Sequence, residues 1–526
     1  MAERFDAVVI GSGFGGSVLA CRLASAGRSV LVLERGRRWA VEDYPSVSQD
    51  NWVWDPDEPE RDNGWIDLRV FPRMAVAQGA GVGGGSLIYA NVFIKATRSA
   101  FDGGWPPEID YDRLQEHYDK AGEMLAAEPI PEGQLTARHK MVRSAAEAAG
   151  YGDRYDKLDL AVSFDERWHY GLDDPHNVDK SYRITNGQGI EQGTCNHCGN
   201  CDIGCPVQAK NTLDLNYLAV AERQGAEIRA LHLVNKLTPI DSGYRVEFDK
   251  LENGAREPGT VEAAEVFLGA GSLGSTELLL RCRDEHGTLT NLSATLGEGW
   301  SANGDFLTPT IYADHEISPT RGPTISARIS FLDGAKGERF FVQDGGFPDL
   351  LGNYLENVTG RSALFGRVID YIGESIREQI RDRDPVSCIM PWFGQAQDAP
   401  DGKLRLDRSL FSGKFELDLD WDPEASIPAV QALVDMHKEL SAATGGVPLV
   451  SPAWTLLHYL VTPHPLGGCR MASSPQEGVV DHRGEVFGHP GLYVVDGAVF
   501  PRPVGLNPSR SIAAIAEYMA AQRLQT

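Results

Sequence analysis

Residues Asp6 to Ile10 form a short apolar strand that runs into Gly11-Ser12-Gly13-Phe14-Gly15-Gly16. A helical pattern from Ser17 to Ala26 follows, then a second strand, Ser29 to Leu33, ending at Glu34. Few sequences restrict a fold so narrowly. Gly11 permits the tight turn, Gly13 lets backbone approach a pyrophosphate, and Gly16 lets helix pack closely on strand, with the helix N-terminus facing the phosphates. Glu34 at the strand tip would accept a ribose hydroxyl. Strand, glycines, helix, strand and acid in this order predict a dinucleotide-binding, Rossmann-like sheet rather than a chance glycine-rich turn.

A second glycine loop, Gly79-Ala80-Gly81-Val82-Gly83-Gly84-Gly85-Ser86-Leu87, favours FAD over NAD. So many glycines suggest backbone lying against a flat ligand or phosphate. The apolar flanks Met74 to Val76 and Leu87 to Tyr89 should be buried and pin the loop, which argues against a flexible surface turn. Further on, Leu213 to Gln224 reads as a helix and Glu227 to Asn235 as a strand. Glu262 to Leu268 then runs into Gly269-Ala270-Gly271-Ser272-Leu273-Gly274-Ser275 and a helix through Leu280, predicting a further strand of the nucleotide sheet that approaches the same cofactor.

The chain's 526 residues allow two interleaved domains of a large α/β enzyme. No apolar run nears the ~18 residues of a membrane span. A net charge of −25 argues against nucleic acid as partner, since phosphate binding needs a basic surface. The N-terminus passes directly from Met1-Ala2-Glu3-Arg4-Phe5 into the first strand, and a cytoplasmic protein is expected. Cys21, Cys282, Cys388 and Cys469 are scattered singly, as reduced thiols would be.

Trp39 to Arg69 reads as an irregular surface excursion, and Tyr111 to Ala127 and His139 to Ala149 as helices. From Phe306 to about Thr462 the period-two segments Thr308 to Tyr312, Thr324 to Phe331, Arg339 to Gln343 and Phe415 to Asp420 suggest an antiparallel sheet with one face turned to a ligand. The substrate is placed there.

Two C-terminal blocks carry chemistry: His464-Pro465-Leu466-Gly467-Gly468-Cys469-Arg470, and Leu492 to Ala498 continuing to Val504-Gly505-Leu506-Asn507-Pro508-Ser509. Alcohol oxidation by a flavin needs a base for the hydroxyl proton, and imidazole suits that task. Asn507 could hydrogen-bond the same alcohol oxygen. A helix from Ser511 through Gln522, if its N-terminus points at the flavin, would stabilise negative charge there. Taken alone, His464 could equally be a turn histidine satisfied by backbone.

Taken together and in order, Gly11-x-Gly13-x-x-Gly16, the Gly79 to Ser86 loop, the Gly269 to Ser275 turn, His464-Pro-Leu-Gly-Gly-Cys469, Asp496-Gly497 and Asn507-Pro508 resemble the glucose-methanol-choline oxidoreductase family, most closely its cholesterol-oxidase-like bacterial branch. The resemblance implies an α/β chain, α+β overall, with a Rossmann-like FAD-binding domain (1–100, 195–305 and 465–526) interleaved with a substrate domain (101–194 and 306–464) on a six-stranded antiparallel sheet. It implies hydride transfer from an alcohol to flavin N5, with His464 as base and Asn507 as its partner. It places cofactor contacts at Gly11, Gly13, Phe14, Gly16, Glu34, Gly79, Gly83, Gly84, Gly85, Ser86, Asn91, Val234, Gly271, Asp496, Gly497, Asn507 and Pro508. One departure stands out. Where cholesterol oxidases hold a glutamate that moves the sterol double bond, this chain reads Phe340-Phe341-Val342-Gln343-Asp344-Gly345. Gln343 cannot act as a base, and Asp344 would point to the opposite face.

The cysteine-rich segment 195–205 has the spacing C-x2-C-x2-C-x3-C-P, with Cys195, Cys198, Cys201, Cys205 and Pro206. Four readings compete. An iron-sulfur cluster fits the spacing, either [3Fe-4S] on three thiolates or [4Fe-4S] on all four, although ferredoxins use the fourth cysteine for a second cluster and no second run exists here. Zinc usually pairs two separated C-x2-C knuckles. A redox-active dithiol and plain reduced thiols remain. Multisubunit FAD-dependent glucose dehydrogenases of the family carry a similar insertion with a cluster, also ending in Cys-Pro-x-x-Ala. The expected function is oxidation of a bulky, apolar alcohol, sterol- or terpenoid-like, with oxygen or a redox carrier as acceptor. The alternatives are a sugar or polyol dehydrogenase with an iron-sulfur relay, and a non-catalytic flavoprotein that senses redox state.

Overall fold

The computed structural model describes residues 3–45, 50, 52–170, 177–349, 386–409 and 413–525. Parts of the predicted Trp39 to Arg69 excursion (46–49 and 51) and of the Phe306 to Thr462 region (350–385 and 410–412) lie outside the described residues.

The apolar run Val30–Leu33 is buried at every position, as a central parallel strand requires. It lies between Glu227–Arg229 and Glu3–Ile10, and Glu3–Ile10 pairs in turn with Ala255–Leu268, all in parallel. Leu492–Val494 adds a further parallel strand beside Ala255–Leu268. Gly243–Glu252 and His232–Ile240 extend the sheet in antiparallel fashion, giving seven strands. The helix Phe14–Ser25 covers this sheet, packed between the helices Tyr217–Arg223 and Ser509–Leu524. Glu517 joins the three helices, pairing with Arg22 at 2.6 Å and accepting from Tyr217 Oη at 2.7 Å.

Six antiparallel strands form the second sheet, in the order Val447–Pro448, Phe306–Ile311, Ile389–Ala396, Glu338–Asp344, Ala327–Ala335 and Tyr155–Lys157. Side chains alternate between its faces. Asp344 reaches Arg138 of the helix Ala137–Ala148, and Thr308 bonds His437 of the helix Ile427–Ala443, so both helices cover the face bearing Phe340, Val342, Asp344 and Trp392. Phe341, Gln343, Phe393 and Gln395 occupy the other face. A third, three-stranded sheet, Leu460–Thr462, Met74–Gly79 and Ile66–Phe71, leads the chain into His464.

Several elements depart from their sequence reading. Phe415–Asp420 is a strand but pairs with Gly402–Arg408, which pairs with Glu298–Trp300, outside the six-stranded sheet; alternation marks a strand without naming its neighbour. The expected strand Glu227 to Asn235 breaks at Leu231, whose φ of +58° turns the chain between two strands with opposite pairing sense. Leu213 to Gln224 divides into a 3-10 turn, Leu213–Leu215, and the helix Tyr217–Arg223, because Asn216 at φ −137° and ψ −91° interrupts the spiral. Tyr111 to Ala127 shrinks to the helix Gln115–Met124. Among the described residues, no helix is long and apolar enough to cross a membrane.

Candidate active site

At the nucleotide end the glycines have no room for side chains. A Cβ on Gly11 (φ +89°) would fall 2.6 Å from the Gly269 carbonyl oxygen, and one on Gly16 would fall 2.1 Å from that of Gly11. The second loop rests on the first: a Cβ on Gly84 would lie 2.7 Å from Gly13 Cα, and one on Gly79 would lie 2.3 Å from the Gly84 oxygen. Space opens instead at Gly85, where nothing lies within 4 Å of such a Cβ, and at Gly13, where only the Gly269 oxygen does, at 3.5 Å. A phosphate or flavin edge can reach the backbone there.

Glu34 accepts from Ser12 N (2.9 Å), Ser12 Oγ (2.7 Å) and Gly36 N (2.9 Å). A carboxylate offers about four lone-pair sites, so one remains for a ribose hydroxyl. Ser12 Oγ also accepts from Gly83 N at 3.0 Å, tying both glycine loops to this carboxylate. Asp496 accepts from Gly271 N (2.8 Å), Ser275 Oγ (2.5 Å) and Ala498 N (2.9 Å), which joins the Gly269 to Ser275 turn to Gly497. Burial pushes its pKa up to about 6. Ser86 Oγ donates to Gly83 O at 2.7 Å and accepts from Leu213 N at 3.1 Å, so it braces the loop. Phe14 packs on Tyr89 and Phe93. Val234 lies at a bulge of its strand, close in sequence to His232, whose N–H donates to Glu34 O. These residues fit FAD.

In the C-terminal blocks, His464 Nδ1 lies 2.8 and 3.0 Å from the two oxygens of Asp305. An ionised carboxylate only accepts, so Nδ1 carries the hydrogen and Nε2 keeps its lone pair. Thr462 Oγ1 donates to Asp305 Oδ2 at 2.5 Å and accepts from His464 N at 2.9 Å. The histidine is therefore held by a buried carboxylate, in addition to its turn. Two residues earlier, Asn303 (φ +56°) accepts from Val504 N (3.1 Å) and Gly505 N (2.9 Å) and donates to Leu506 O (2.9 Å). One turn, 303–305, thus holds both His464 and the segment before Asn507.

Asn507 Oδ1 accepts from Gln343 Nε2 at 3.1 Å, and Gln343 also donates to Gln395 Oε1 at 2.7 Å. Gln343 Oε1 and Gln395 Nε2 are buried without a partner. Buried amides are normally satisfied, so unmatched atoms beside Asn507 mark a place where polar ligand atoms belong. Phe393, opposite Gln343 in register, lies 6.4 Å from the His464 ring, centroid to centroid. The sheet face that bears the two glutamines therefore borders the histidine. Pro508 precedes the helix Ser509–Leu524.

The four clustered cysteines lie together but not on one point. They line a single pocket, shared with Asn91 and Lys210. Among the described residues, no three Cys, His, Asp or Glu side chains are placed to hold a single metal ion. All eight cysteines are free thiols.

Asp305, Asn303 and Gln395 are not legible as site residues in the sequence. Asp305 lies 159 positions from His464 and belongs to no spaced motif. Its one signal is the turn Ser301-Ala302-Asn303-Gly304-Asp305 ahead of a strand.

Residues 399–516 match the GMC oxidoreductase family profile, and residues 9–41 match the NAD(P)-binding Rossmann-like domain. A cholesterol oxidase from Acinetobacter baumannii is 30% identical, the alignment covering 98% of this chain and 93% of that protein. A cholesterol oxidase from Mycobacterium tuberculosis is also 30% identical, over 99% and 91%. Among solved structures, pyridoxine 4-oxidase from Mesorbium loti superposes with a TM-score of 0.63 at 17% identity, covering 99% of each chain, a likeness of fold. The chain belongs to the GMC oxidoreductase family, on its cholesterol-oxidase-like branch, and is an FAD-dependent oxidoreductase acting on CH–OH donors.

Proposed function

We propose that the enzyme oxidises a bulky, largely apolar alcohol, sterol- or terpenoid-like, with His464 as base and Asn507 orienting the hydroxyl. The observation that carries this reading is the His464–Asp305 pair, near a sheet face that also bears unmatched amide atoms beside Asn507. With Nδ1–H committed to Asp305, the Nε2 lone pair takes the hydroxyl proton, and the carboxylate stabilises the imidazolium that forms. Asn507 steadies the alcohol oxygen through its Nδ2 as that oxygen loses the proton, while Gln343 Nε2 holds Asn507 Oδ1 in place. Bound FAD supplies a hydride acceptor at N5. Phe341 and Phe393, on the same face as Gln343, favour an apolar substrate body, in keeping with the two relatives named cholesterol oxidase. Because Gln343 cannot shuttle a proton, a sterol would be oxidised with its double bond left in place.

On this reading residues 1–100, 195–305 and 465–526 serve the cofactor, and 101–194 and 306–464 the substrate. An anaerobic screen for flavin bleaching tests it. Sterols or terpenoids should bleach the flavin at lower concentration than sugars; bleaching by sugars alone would reverse the substrate assignment. A sugar or polyol dehydrogenase with a metal relay is favoured by one feature only, the cysteine-lined cavity.

A further inference from the structure

We propose that Asp398 is a positioning residue for the oxidation: through Ser301 it fixes the turn 301–305, and with it the carboxylate that holds His464. The turn needs outside support. Asn303 and Gly304 both have positive φ, at +56° and +61°, and a residue other than glycine stays in that region only where its surroundings impose it.

Ser301 pairs with Leu466, two residues after His464: Ser301 N donates to Leu466 O at 2.9 Å, and Leu466 N donates to Ser301 O at 3.1 Å. The Ser301 hydroxyl accepts from Asn303 N at 2.9 Å and donates to Asp398 Oδ1 at 2.6 Å. Asp398 thus ends a relay of hydrogen bonds that starts inside the turn. The chain just before Asp398 closes on the same turn. Ala396 N donates to Asn303 O at 3.3 Å, and a Cβ on Gly304 would fall 2.6 Å from Ala396 O, so the turn lies directly against the end of the strand Ile389–Ala396.

That strand end reaches both halves of the site. Gln395 accepts from Gln343, which also donates to Asn507. Gln397 Nε2 donates to Val504 O at 3.4 Å, and a Cβ on Gly505 would fall 2.7 Å from Gln397 Cγ. Val504 and Gly505 are in turn held by Asn303. The short stretch 395–398 therefore braces the Asn507 segment on one side and the Asp305 turn on the other. Asp398 is the residue of that stretch whose side chain bonds to the turn.

The electrostatics agree with this geometry. Asp305 and Asp398 are both buried, one on the turn and one beside it. Burial pushes the Asp398 pKa up to about 7, and the charge of Asp305 adds to the rise. Below that pH the negative charge rests on Asp305, where it faces His464, while Asp398 is neutral and supplies an oxygen to Ser301. Asp398→Asn keeps that oxygen, and Asp398→Ala removes it. This role rests on the reading of His464 as the base.

The test is the FAD-loaded, full-length enzyme, mixed without oxygen with an alcohol that bleaches it. Asp398→Ala should slow flavin reduction at saturating alcohol on the order of 10-fold, as expected when a catalytic group is slightly misplaced, with FAD content unchanged. Asp398→Asn should restore most of the rate. Ser301→Ala breaks the same bond from the other side and should be slowed about as much as Asp398→Ala. On an Asp305→Asn background, either change should cost less than about twofold, because the carboxylate being positioned is already gone. The proton resonance of the His464 Nδ1–H, identified by its absence in His464→Ala, should shift in Asp398→Ala and return in Asp398→Asn. Unaltered rates in Asp398→Ala and Ser301→Ala, or an undiminished loss on the Asp305→Asn background, would overturn the role of Asp398 while leaving His464 as the base. An unaltered rate in Asp305→Asn would overturn both together. If Asp398→Ala fails to fold, Ser301→Ala on the two backgrounds decides.

Discussion

His464 Nδ1 and Asp305 Oδ1 lie 2.8 Å apart, and that carboxylate is fully buried and braced by Thr462. The pairing fixes which ring nitrogen is free and stabilises the charged ring. In Asp305→Asn, kcat should fall roughly 10- to 100-fold, the loss typical when a general base loses its support. Bound FAD should stay unchanged. Steady-state kinetics and the flavin absorbance of the purified variant check both.

Gly84 stands 2.7 Å, measured from a notional Cβ, from the backbone of Gly13. Gly84→Ala should push the second glycine loop off the first and reduce FAD content several-fold, because backbone on both sides of the contact must move. Its φ of +50° adds strain for any side chain. The ratio of flavin to protein absorbance after purification reads the effect. Gly27→Ala is a suitable control: its φ is +80° but nothing lies within 4 Å of the added Cβ, so FAD content should hold.

Asp398 accepts from Ser301 Oγ at 2.6 Å, and its other oxygen has no partner. Burial, aided by the charge of Asp305, pushes its pKa up to about 7 from 3.8. The folded chain therefore keeps a proton that the unfolded chain has lost. Stability falls as pH rises from about 4 to about 7, by up to about 4 kcal/mol from this group, and does not recover above that range. Asp398→Asn should match the unaltered protein in Tm near pH 4 and exceed it at pH 8. Thermal melts at both pH values test this, and an equal gap at both would remove Asp398 as the cause.

The nucleotide end was legible because its constraints are local. Gly11, Gly13 and Gly16 act within one turn, and Glu34 follows on the next strand. The six-stranded sheet was legible in kind, since Arg339 to Gln343 alternates as it should, but pairing was not, and Phe415–Asp420 found a different neighbour. The C-terminal part of the candidate site was half legible. His464 and Asn507 stand among prolines and glycines that attract notice, whereas Asn303 and Asp305 act on them across 159 or more positions. Such partners are chosen by topology, which no spacing displays. Gln343 could be judged from its chemistry as no base, yet its bond to Asn507 required the strand to be placed first.

The most direct test of the account is flavin reduction in a single turnover, mixed without oxygen, using an alcohol that bleaches the unaltered enzyme. His464→Ala should bind FAD fully and show its reduction slowed by at least about 10²-fold, the scale of general base catalysis. Reduction at the unaltered rate, with FAD in place, would contradict the assignment of His464 as the base.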